Sequence, residues 1–594
     1  MFRFVIGFLA IIGFLFILLV VLGVWTGLRF AEQGKPHPEP ESVVLMLNLD
    51  QLIVEQNDPS PLDLAIHEDV MPLYDILHAI DLAKGDAHVK GIVARMGSTA
   101  PSLTQAQEIR AALARFRASG KFTYVFAPSY GSFGMGSKTY YLASAFENIW
   151  LQPVGSVGLS GLAMEMPFGK TALKKIGIDS DFIQREEYKS AFDNITRDEF
   201  APQVKTEMKD MLNDLSEQIA GGIADSRKWD ANHVRHLMNE GPYTDEEASK
   251  NGLVTTIGYV DELEKEIDRK AGKDAGRPSI EDYLDYDRSA AKTEPTKIAL
   301  IYGTGMIVDK NDGPADISGD KLMGADQIAG AFDDAVDNKE VKAILFRVDS
   351  PGGSPEASET IRRALVHAQK QGKPVIVSMG SVAASGGYWV SMNADRIISE
   401  PATLTGSIGV IGGKFILAGL MQKVGVNWDM VKTADNAGMW SMINDFTPAQ
   451  KERVNALMDQ TYHAFVKNVS DARHIPMEKM PDISKGRVWT GAQALKINLV
   501  DELGGYDVAL AAVHKALKLD EKAPLELEVF PAPETPVERV LKVLKNVGGQ
   551  SAMLGSAILQ WQKIQTTLGP VLRDTMHAHS LDIRMPGAAL NAVR

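Results

Sequence analysis

The stretch AILFRVDSPGGSPEASETIRRALVHAQKQGKPVIVSM, residues 343–379, contains three segments with different periodicity. Its first six residues, 343–348, are almost entirely apolar, which is typical of a buried β-strand. Residues 356–370 repeat apolar side chains at helical spacing, and residues 374–379 are again rich in valine and isoleucine. A strand, a helix and a second strand in this order predict a βαβ unit, and hence a largely parallel sheet covered by helices.

The sequence pattern occurs twice in the chain, at a spacing of about 250 residues. Blocks of the first copy have counterparts in the second copy, in the same order. The matched blocks are 43–47 with 298–302, 89–93 with 341–345, 108–113 with 360–365, 155–158 with 406–409, and 243–254 with 489–500. The chain is therefore predicted to hold two tandem copies of one α/β domain.

Changes in composition mark the limits of the two copies. We expect the first copy at residues 42–273 and the second at residues 297–525, joined by a polar linker without a hydrophobic pattern. Several prolines break the pattern after residue 525, and residues 526–594 are expected to form a helical tail of unknown role. A domain usually has roughly 100–200 residues, so a chain of 594 residues has room for all of these parts.

The N-terminus carries an apolar run from Phe4 to Leu28 that contains no charged residue. At about 1.5 Å per residue, a helix of this length exceeds the ~30 Å hydrocarbon core of a bilayer. A cleavable signal peptide would have a shorter apolar segment and a small-residue cleavage site, and neither is evident. Residues 1–30 are therefore predicted to be a single transmembrane anchor. The basic residues on its two sides are too few for the positive-inside rule to fix its orientation.

The composition excludes several classes of function. The net charge of −14 argues against nucleic acid as the main partner, because phosphate binding needs clustered lysine and arginine. The absence of cysteine excludes disulfides, thiolate metal sites and a cysteine nucleophile. There is no His-Glu-x-x-His zinc motif, and Gly303 and Gly305 lack the third glycine of a dinucleotide-binding fingerprint. No cofactor and no metal is implied.

Two adjacent glycines, Gly352 and Gly353, lie between the strand and the helix of the quoted stretch. A turn of this kind exposes backbone N–H groups at a helix N-terminus, and such donors can stabilise the oxyanion that forms when a carbonyl is attacked. In the first copy the corresponding loop, residues 97–102, has lost both glycines of the turn. Pro101, opposite Gly353, has no N–H to donate. The first copy is therefore expected to be inactive in acyl chemistry.

One serine, Ser407, lies in the glycine-rich segment LTGSIGVIGG, residues 404–413. A serine nucleophile needs a base, but the chain has no Gly-x-Ser-x-Gly elbow and no histidine in a recognisable triad motif. A lysine can act as the base where burial lowers its pKa. The candidate is Lys189 of the first copy, whose counterpart in the second copy lies near Ala437. The first copy thus has the lysine without the glycine turn, and the second has the turn without the lysine.

Five longer motifs extend over both copies. They are EYKSAFDNI at 187–195, DSPGGS at 349–354, ASGGYW at 384–389, LTGSIGV at 404–410 and RVWTGAQA at 487–494. With these motifs the chain resembles the signal peptide peptidase A family of serine proteases, in its long, duplicated form. The resemblance implies that Ser407 is the nucleophile and Lys189 the general base. By likeness to the Clp protease and crotonase groups, it implies a crotonase-like core in which Gly352 and Gly353 supply oxyanion donors.

The same resemblance implies a membrane-anchored serine endopeptidase that degrades hydrophobic peptides, such as signal peptides left after secretion. It also implies a homotetramer in the bacterial inner membrane, with the catalytic body on the periplasmic side. Two other functions remain open. An acyl-CoA enzyme on the same core would use the glycine turn but would need neither Ser407 nor Lys189. A non-catalytic, membrane-anchored assembly protein would carry Ser407 as a vestige, as Ser156 of the first copy is expected to be.

Overall fold

A computed structural model describes residues 40–56, 70–97, 99–131, 136–286, 294–310 and 322–532. The predicted anchor at residues 4–28 and the predicted tail beyond residue 532 lie outside these ranges. None of the helices within them combines the length and the apolar character of a membrane span. The described residues form an α/β protein with two main sheets of mostly parallel strands, one in each copy of the repeat.

The N-terminal copy is built on a five-stranded parallel sheet. The strands of this copy, inside and outside that sheet, are β1 (Val43–Asn48), β2 (Leu52–Val54), β3 (Val70–Pro72), β4 (Val89–Arg95), β5 (Phe122–Ala127), β6 (Asn148–Leu151), β7 (Ser156–Val157), β8 (Asp179–Gln184), β9 (Tyr243–Thr244) and β10 (Thr256–Ile257). The sheet has the strand order β1-β4-β5-β6-β10, while β2 pairs with β3 and β7 with β9. Apolar side chains on both faces of its strands are buried, as expected for a parallel sheet between helices.

The C-terminal copy is built on an eight-stranded sheet. The strands of this copy are β11 (Thr296–Thr304), β12 (Met306–Val308), β13 (Leu322–Gly324), β14 (Ala343–Ser350), β15 (Val375–Ala384), β16 (Arg396–Ser399), β17 (Leu404–Gly406), β18 (Ile411–Ile416), β19 (Val488–Thr490), β20 (Glu502–Leu503) and β21 (Leu525–Phe530). The sheet runs β21-β11-β14-β15, after which β15 pairs with β17 and with β16 at different points along its length. β19 extends the sheet from β17 and β20 from β16, and only the β17–β19 pair is antiparallel.

Helices cover both sheets. Those of the N-terminal copy are α1 (Leu73–Gly85), α2 (Leu103–Arg117), α3 (Ser137–Ala143), α4 (Lys170–Ile176), α5 (Asp193–Thr196), α6 (Pro202–Arg227), α7 (Ala231–Glu240), α8 (Asp245–Lys250), α9 (Val260–Ala271) and α10 (Ile280–Leu284). Those of the C-terminal copy are α11 (Ala325–Asp337), α12 (Pro355–Lys370), α13 (Gly386–Ser391), α14 (Ala418–Lys423), α15 (Pro448–Arg473), α16 (Met480–Ile483), α17 (Gly491–Lys496) and α18 (Tyr506–Leu517), with a 3₁₀-helix at Met477–Lys479. The quoted stretch forms β14, α12 and β15, so its predicted βαβ order is present.

Both copies extend beyond the limits expected from the sequence. The second copy was expected to end at residue 525, but β21 begins there and pairs in parallel with β11. Glutamates at positions 526 and 528 obscure the apolar pattern of this edge strand. At the other limit, the carbonyls of Gly276 and Pro278, within the expected linker, accept hydrogen bonds from the backbone of β1. Each copy thus places a segment that follows its last repeat helix beside its first strand.

The two copies share a hydrophobic core. Helix α18 of the C-terminal copy buries Tyr506, Ala509 and Val513 among residues of the N-terminal copy. One face of the C-terminal sheet, including Ile298 and Leu300, joins the same core, whereas its opposite face packs against α11 and α12. Burial of these apolar surfaces fixes the position of each copy relative to the other.

Arg347 on β14 adds an ionic contact between the copies. It is fully buried, and its guanidinium donates to Glu55 at 2.8 Å and to Glu108 at 2.6 Å, both in the N-terminal copy. A buried charge is strongly unfavourable unless it is paired, so separation of the copies would leave all three groups without their partners. This cluster favours one arrangement of the two copies.

A strand from each copy pairs with the other across the boundary. β8 of the N-terminal copy lies antiparallel to β18 of the C-terminal copy. Beyond β8 the chain continues beside the segment that leads into β18, and the Arg185 N–H donates to the Val410 carbonyl at 2.8 Å. Lys189 follows β8 and Ser407 precedes β18 in the sequence. The pairing of the two strands therefore brings these residues to the same place.

Candidate active site

Ser407 directly follows β17 in a backbone conformation that is unusual for a serine. Its φ is +51°, in the left-handed region that residues with a Cβ seldom occupy. Its N–H donates to the carbonyl of Arg487 at 2.7 Å, and the residue is 5% exposed. Such strain persists only where the surrounding structure imposes it, and it is concentrated at functional sites. The conformation of Ser407 therefore supports a functional role.

The Lys189 side chain reaches Ser407 from the N-terminal copy. Its Nζ lies 3.0 Å from Ser407 Oγ, 2.9 Å from the Ser407 carbonyl oxygen and 2.9 Å from Ser385 Oγ. A neutral amine has two N–H bonds and one lone pair. It can donate to the carbonyl and to Ser385 Oγ while its lone pair faces the Ser407 hydroxyl. The structure thus brings together the two residues that the sequence singled out in different copies.

Burial changes the acidity of the Lys189 side chain. It lowers the pKa of the amine to about 7, because a charged ammonium group is unfavourable away from water. Two glycines allow the chain to pass close to Lys189: a Cβ on Gly486 would lie 2.6 Å from the Lys189 backbone nitrogen, and one on Gly409 would lie 3.2 Å from Lys189 Cδ. At neutral pH much of the amine is uncharged and able to accept a proton.

Ser385 is a third polar group at the site. It lies between β15 and α13 with φ +54°, and its N–H donates to the Gly406 carbonyl at 2.8 Å. Its hydroxyl accepts a hydrogen bond from Lys189 Nζ. Ser385 belongs to the ASGGYW motif but had no predicted role, because nothing local to that motif indicates a contact with a lysine 196 residues away.

The backbone donors near Ser407 differ from those expected. The N–H of Gly352 donates to Ser350 Oγ at 3.2 Å, whereas that of Gly353 has no acceptor among the described residues. The N–H of Ile408, directly after Ser407, also has no acceptor within the described ranges. Gly353 and Ile408 therefore offer unpaired donors of the kind an oxyanion requires. Ile408 was not among the predicted donors, because its side chain gives no indication of an unpaired backbone N–H.

An apolar pocket opens beside Lys189. Its walls include Pro355, Trp389, Val410 and Phe465, and the rings of Trp389 and Phe465 lie 4.4 Å apart between centroids. Pockets that recognise apolar groups combine such walls with a few polar groups that fix orientation. This pocket can therefore accept an apolar side chain of a peptide while the neighbouring carbonyl lies near the lysine and the serine.

The corresponding position in the N-terminal copy has different surroundings. Ser156, the counterpart of Ser407, has its Oγ 2.8 Å from Ser129 Oγ. In the described part of the chain, no lysine amine is within hydrogen-bond distance of Ser156. Pro101 occupies the position that corresponds to Gly353. Among the described residues, the groups that acyl chemistry needs thus come together at one site, to which both copies contribute.

Comparisons with known proteins agree with this division into two copies. The model of peptidase family S49 matches residues 117–274 and 367–520, one match in each copy. Protease 4 of Salmonella typhi is 31% identical over 569 residues, which cover 92% of this chain and 88% of that protein. Protease 4 of Haemophilus influenzae is 30% identical, with 86% and 83% covered. A putative signal peptide peptidase SppA of Enterococcus faecium is 29% identical over 231 residues, 39% of this chain and 63% of that protein.

These matches bear on two expectations from the sequence. Because the family model matches twice, the tandem α/β repeat is confirmed. The names of the relatives also favour the serine protease over the acyl-CoA enzyme and the non-catalytic assembly protein.

Proposed function

Because this chain belongs to peptidase family S49 and is a serine protease, we propose that Ser407 is its nucleophile and Lys189 its general base. The observation that carries the proposal is the 3.0 Å distance between Lys189 Nζ and Ser407 Oγ in a buried site. Burial that lowers the pKa of the amine to about 7 supports it, because a base must be uncharged at working pH.

The reaction follows from the positions of these groups. The neutral Lys189 amine takes the proton of Ser407 Oγ as this oxygen bonds to the scissile carbonyl carbon. The oxyanion accepts hydrogen bonds from the N–H groups of Gly353 and Ile408. The Lys189 ammonium then gives its proton to the leaving amine as the C–N bond breaks. In the second half, Lys189 deprotonates a water molecule that attacks the acyl-enzyme ester, and the proton returns to Ser407 Oγ.

The substrates we propose are hydrophobic peptides, in particular signal peptides that remain after secretion. The apolar pocket beside Lys189 supports this assignment, since it would take an apolar side chain next to the scissile bond. The putative signal peptide peptidase from Enterococcus faecium supports it independently, by its name. No second candidate function is favoured by the site.

We propose that residues 4–28 attach the protein to the bacterial inner membrane, with the catalytic body on the periplasmic side. Its support is the uncharged apolar run, which is long enough to span a bilayer as a helix. Signal peptides are released at this membrane, so an anchored protease would meet its substrates there.

We also propose that the protein is a homotetramer in which four identical chains associate head to tail. Residues 427–432 are the counterpart of β8, but they lie in an exposed segment in which Trp428 is 63% and Val431 98% exposed. Within one chain β8 is covered by β18, whose own counterpart is the segment 160–165. We infer that residues 160–165 of a second protein chain of the tetramer cover residues 427–432. A head-to-tail contact that repeats in this way can close a ring.

The nucleophile is tested with a pair of matched variants. Ser407→Ala and Ser156→Ala each remove the hydroxyl of equivalent serines in the two copies. We expect Ser407→Ala to abolish hydrolysis of a synthetic signal peptide by the detergent-purified full chain, and Ser156→Ala to retain it. Activity that survives in Ser407→Ala, or is lost only in Ser156→Ala, would overturn the assignment.

A further inference from the structure

A single peptide group lies beside the nucleophile, between Arg487 and Val488. Its carbonyl accepts the Ser407 N–H at 2.7 Å, and its N–H donates to Glu207 Oε1 at 2.6 Å. Strand β19 begins at Val488 and pairs with β17, which ends at Gly406, directly before Ser407. One peptide group is therefore held by Glu207 on one side and holds the backbone of Ser407 on the other.

Glu207 lies on α6 of the N-terminal copy and is 3% exposed. The charged groups that face it are Arg487, which lowers its pKa, and Asp210 on the same helix, which raises it. Burial is the largest effect and raises the pKa of Glu207 to about 8, so the carboxyl is mostly protonated at neutral pH. Oε2 has no hydrogen-bond partner among the described residues. The bond from the Val488 N–H is thus the one hydrogen bond that this buried carboxyl makes within the described residues.

Comparison of the two copies shows that this contact is not a general feature of how the long helix packs. Helices α6 and α15 both have 26 residues and begin with proline, and the sixth residue is Glu207 in α6 and Arg453 in α15. Arg453 is exposed. A buried carboxyl therefore occurs at this position in the helix that borders Ser407, whereas the equivalent helix carries a solvated cation there.

We propose that Glu207 is a positioning residue for Ser407. Its carboxyl fixes the Arg487–Val488 peptide group, and this group fixes Ser407 in its left-handed conformation with Oγ directed at the lysine. Hydrogen bonds that share one peptide group reinforce each other, because each polarises the next. The role rests on the proposed function of Ser407 as the nucleophile.

The test compares two contacts made by the same helix. Asp214, two turns beyond Glu207 on α6, accepts a hydrogen bond from Thr490 Oγ1 of β19 at 2.6 Å but does not touch the Arg487–Val488 peptide group. Glu207→Met and Asp214→Leu each remove one such contact between the copies. We expect Glu207→Met to lower kcat by about 10²-fold with KM unchanged, since small misplacement of a reacting group has this effect. Asp214→Leu should retain the kcat of the wild type.

Two conservative variants keep the test decisive if Glu207→Met does not fold. Glu207→Gln resembles the protonated carboxyl and keeps an acceptor for Val488, so it should restore most of kcat. Glu207→Asp withdraws the carboxyl by one methylene group and should lower kcat with KM unchanged. Equal losses in Glu207→Met and Asp214→Leu, or full activity in Glu207→Asp, would overturn the proposal. Ser407→Ala tests separately whether Ser407 is the nucleophile, because activity in that variant would refute this role whatever Glu207 does.

Discussion

At the scale of single residues, the charge of the Lys189 amine decides whether it can accept a proton. Burial lowers its pKa to about 7, so the inactive ammonium form dominates below that pH and the free amine above it. We expect kcat/KM to rise about tenfold per unit up to about pH 7 and then to level off. Hydrolysis of a synthetic signal peptide, followed across this range, measures the profile. A rate that does not change between about pH 6 and pH 9 would contradict the role of Lys189 as base.

We expect Ser385 to orient the Lys189 amine rather than to react, so its removal should affect the rate more than substrate binding. In Ser385→Ala, Lys189 Nζ loses one of its three polar contacts, and we expect kcat to fall by roughly tenfold to a hundredfold at constant KM. Ser381→Ala is the control, because the Ser381 hydroxyl is buried but bonds to Ser102 instead of Lys189. Steady-state kinetics of both variants give the result, and equal effects would remove Ser385 from the site.

At the scale of elements, the loop before β19 must pass close to the chain that carries Lys189. Gly486 has φ +79° and no room for a Cβ beside the Lys189 backbone, whereas Gly372 has φ +81° and open space around it. We expect Gly372→Ala to cost about 1–2 kcal/mol from the left-handed backbone alone, and to leave activity intact. Gly486→Ala should be destabilised further, by about 1–3 kcal/mol, and should lose activity because Lys189 is displaced.

Thermal unfolding together with peptide hydrolysis distinguishes these two glycine variants. The two variants should differ in activity, although the left-handed backbone strains both of them alike. If Gly486→Ala were as active as Gly372→Ala, the loop would not control the position of the lysine.

The elements could be predicted from the sequence where their pattern is local. The βαβ order of residues 343–379 is visible in its periodicity, and the repeat follows from matched blocks. The pairing of β8 with β18 could not be predicted, because it joins two edges that are far apart in sequence and have no pattern in common. The edge strand β21 was missed since alternating glutamates reduce its apolar signal.

The candidate site was partly predictable for the same reason. Ser407 and Lys189 emerged because each copy lacks what the other has, which is a comparison within one sequence. Ser385 and Ile408 were not predicted, because the proposed role of Ser385 depends on a contact across the fold and that of Ile408 on a backbone N–H. Side-chain identity carries no information about either. The position of Lys189 beside Ser407 has to be read from the structure.

At the scale of the whole molecule, the proposed assembly depends on the exposed segment 427–432, in which Trp428, Met430 and Val431 are apolar. A charge in place of Trp428 would have to be buried in the contact between two protein chains, which is unfavourable. We expect Trp428→Asp to reduce the tetramer to smaller species in detergent, as measured by sedimentation. Leu52→Asp is the control, since Leu52 is an exposed apolar residue of the N-terminal copy outside this contact. An unchanged tetramer in Trp428→Asp would contradict the proposed contact.

We propose that the two copies of the repeat form one catalytic site together, with the base in one copy and the nucleophile in the other. The most direct measurement is signal-peptide hydrolysis by detergent-purified Lys189→Met, with the size of the assembly checked in parallel. Lys138→Met is the control, because burial also lowers the pKa of Lys138 in the N-terminal copy. We predict a loss of about 10²–10⁴-fold in Lys189→Met and near-normal activity in Lys138→Met. Full activity of Lys189→Met in an intact assembly would show that the N-terminal copy does not supply the base.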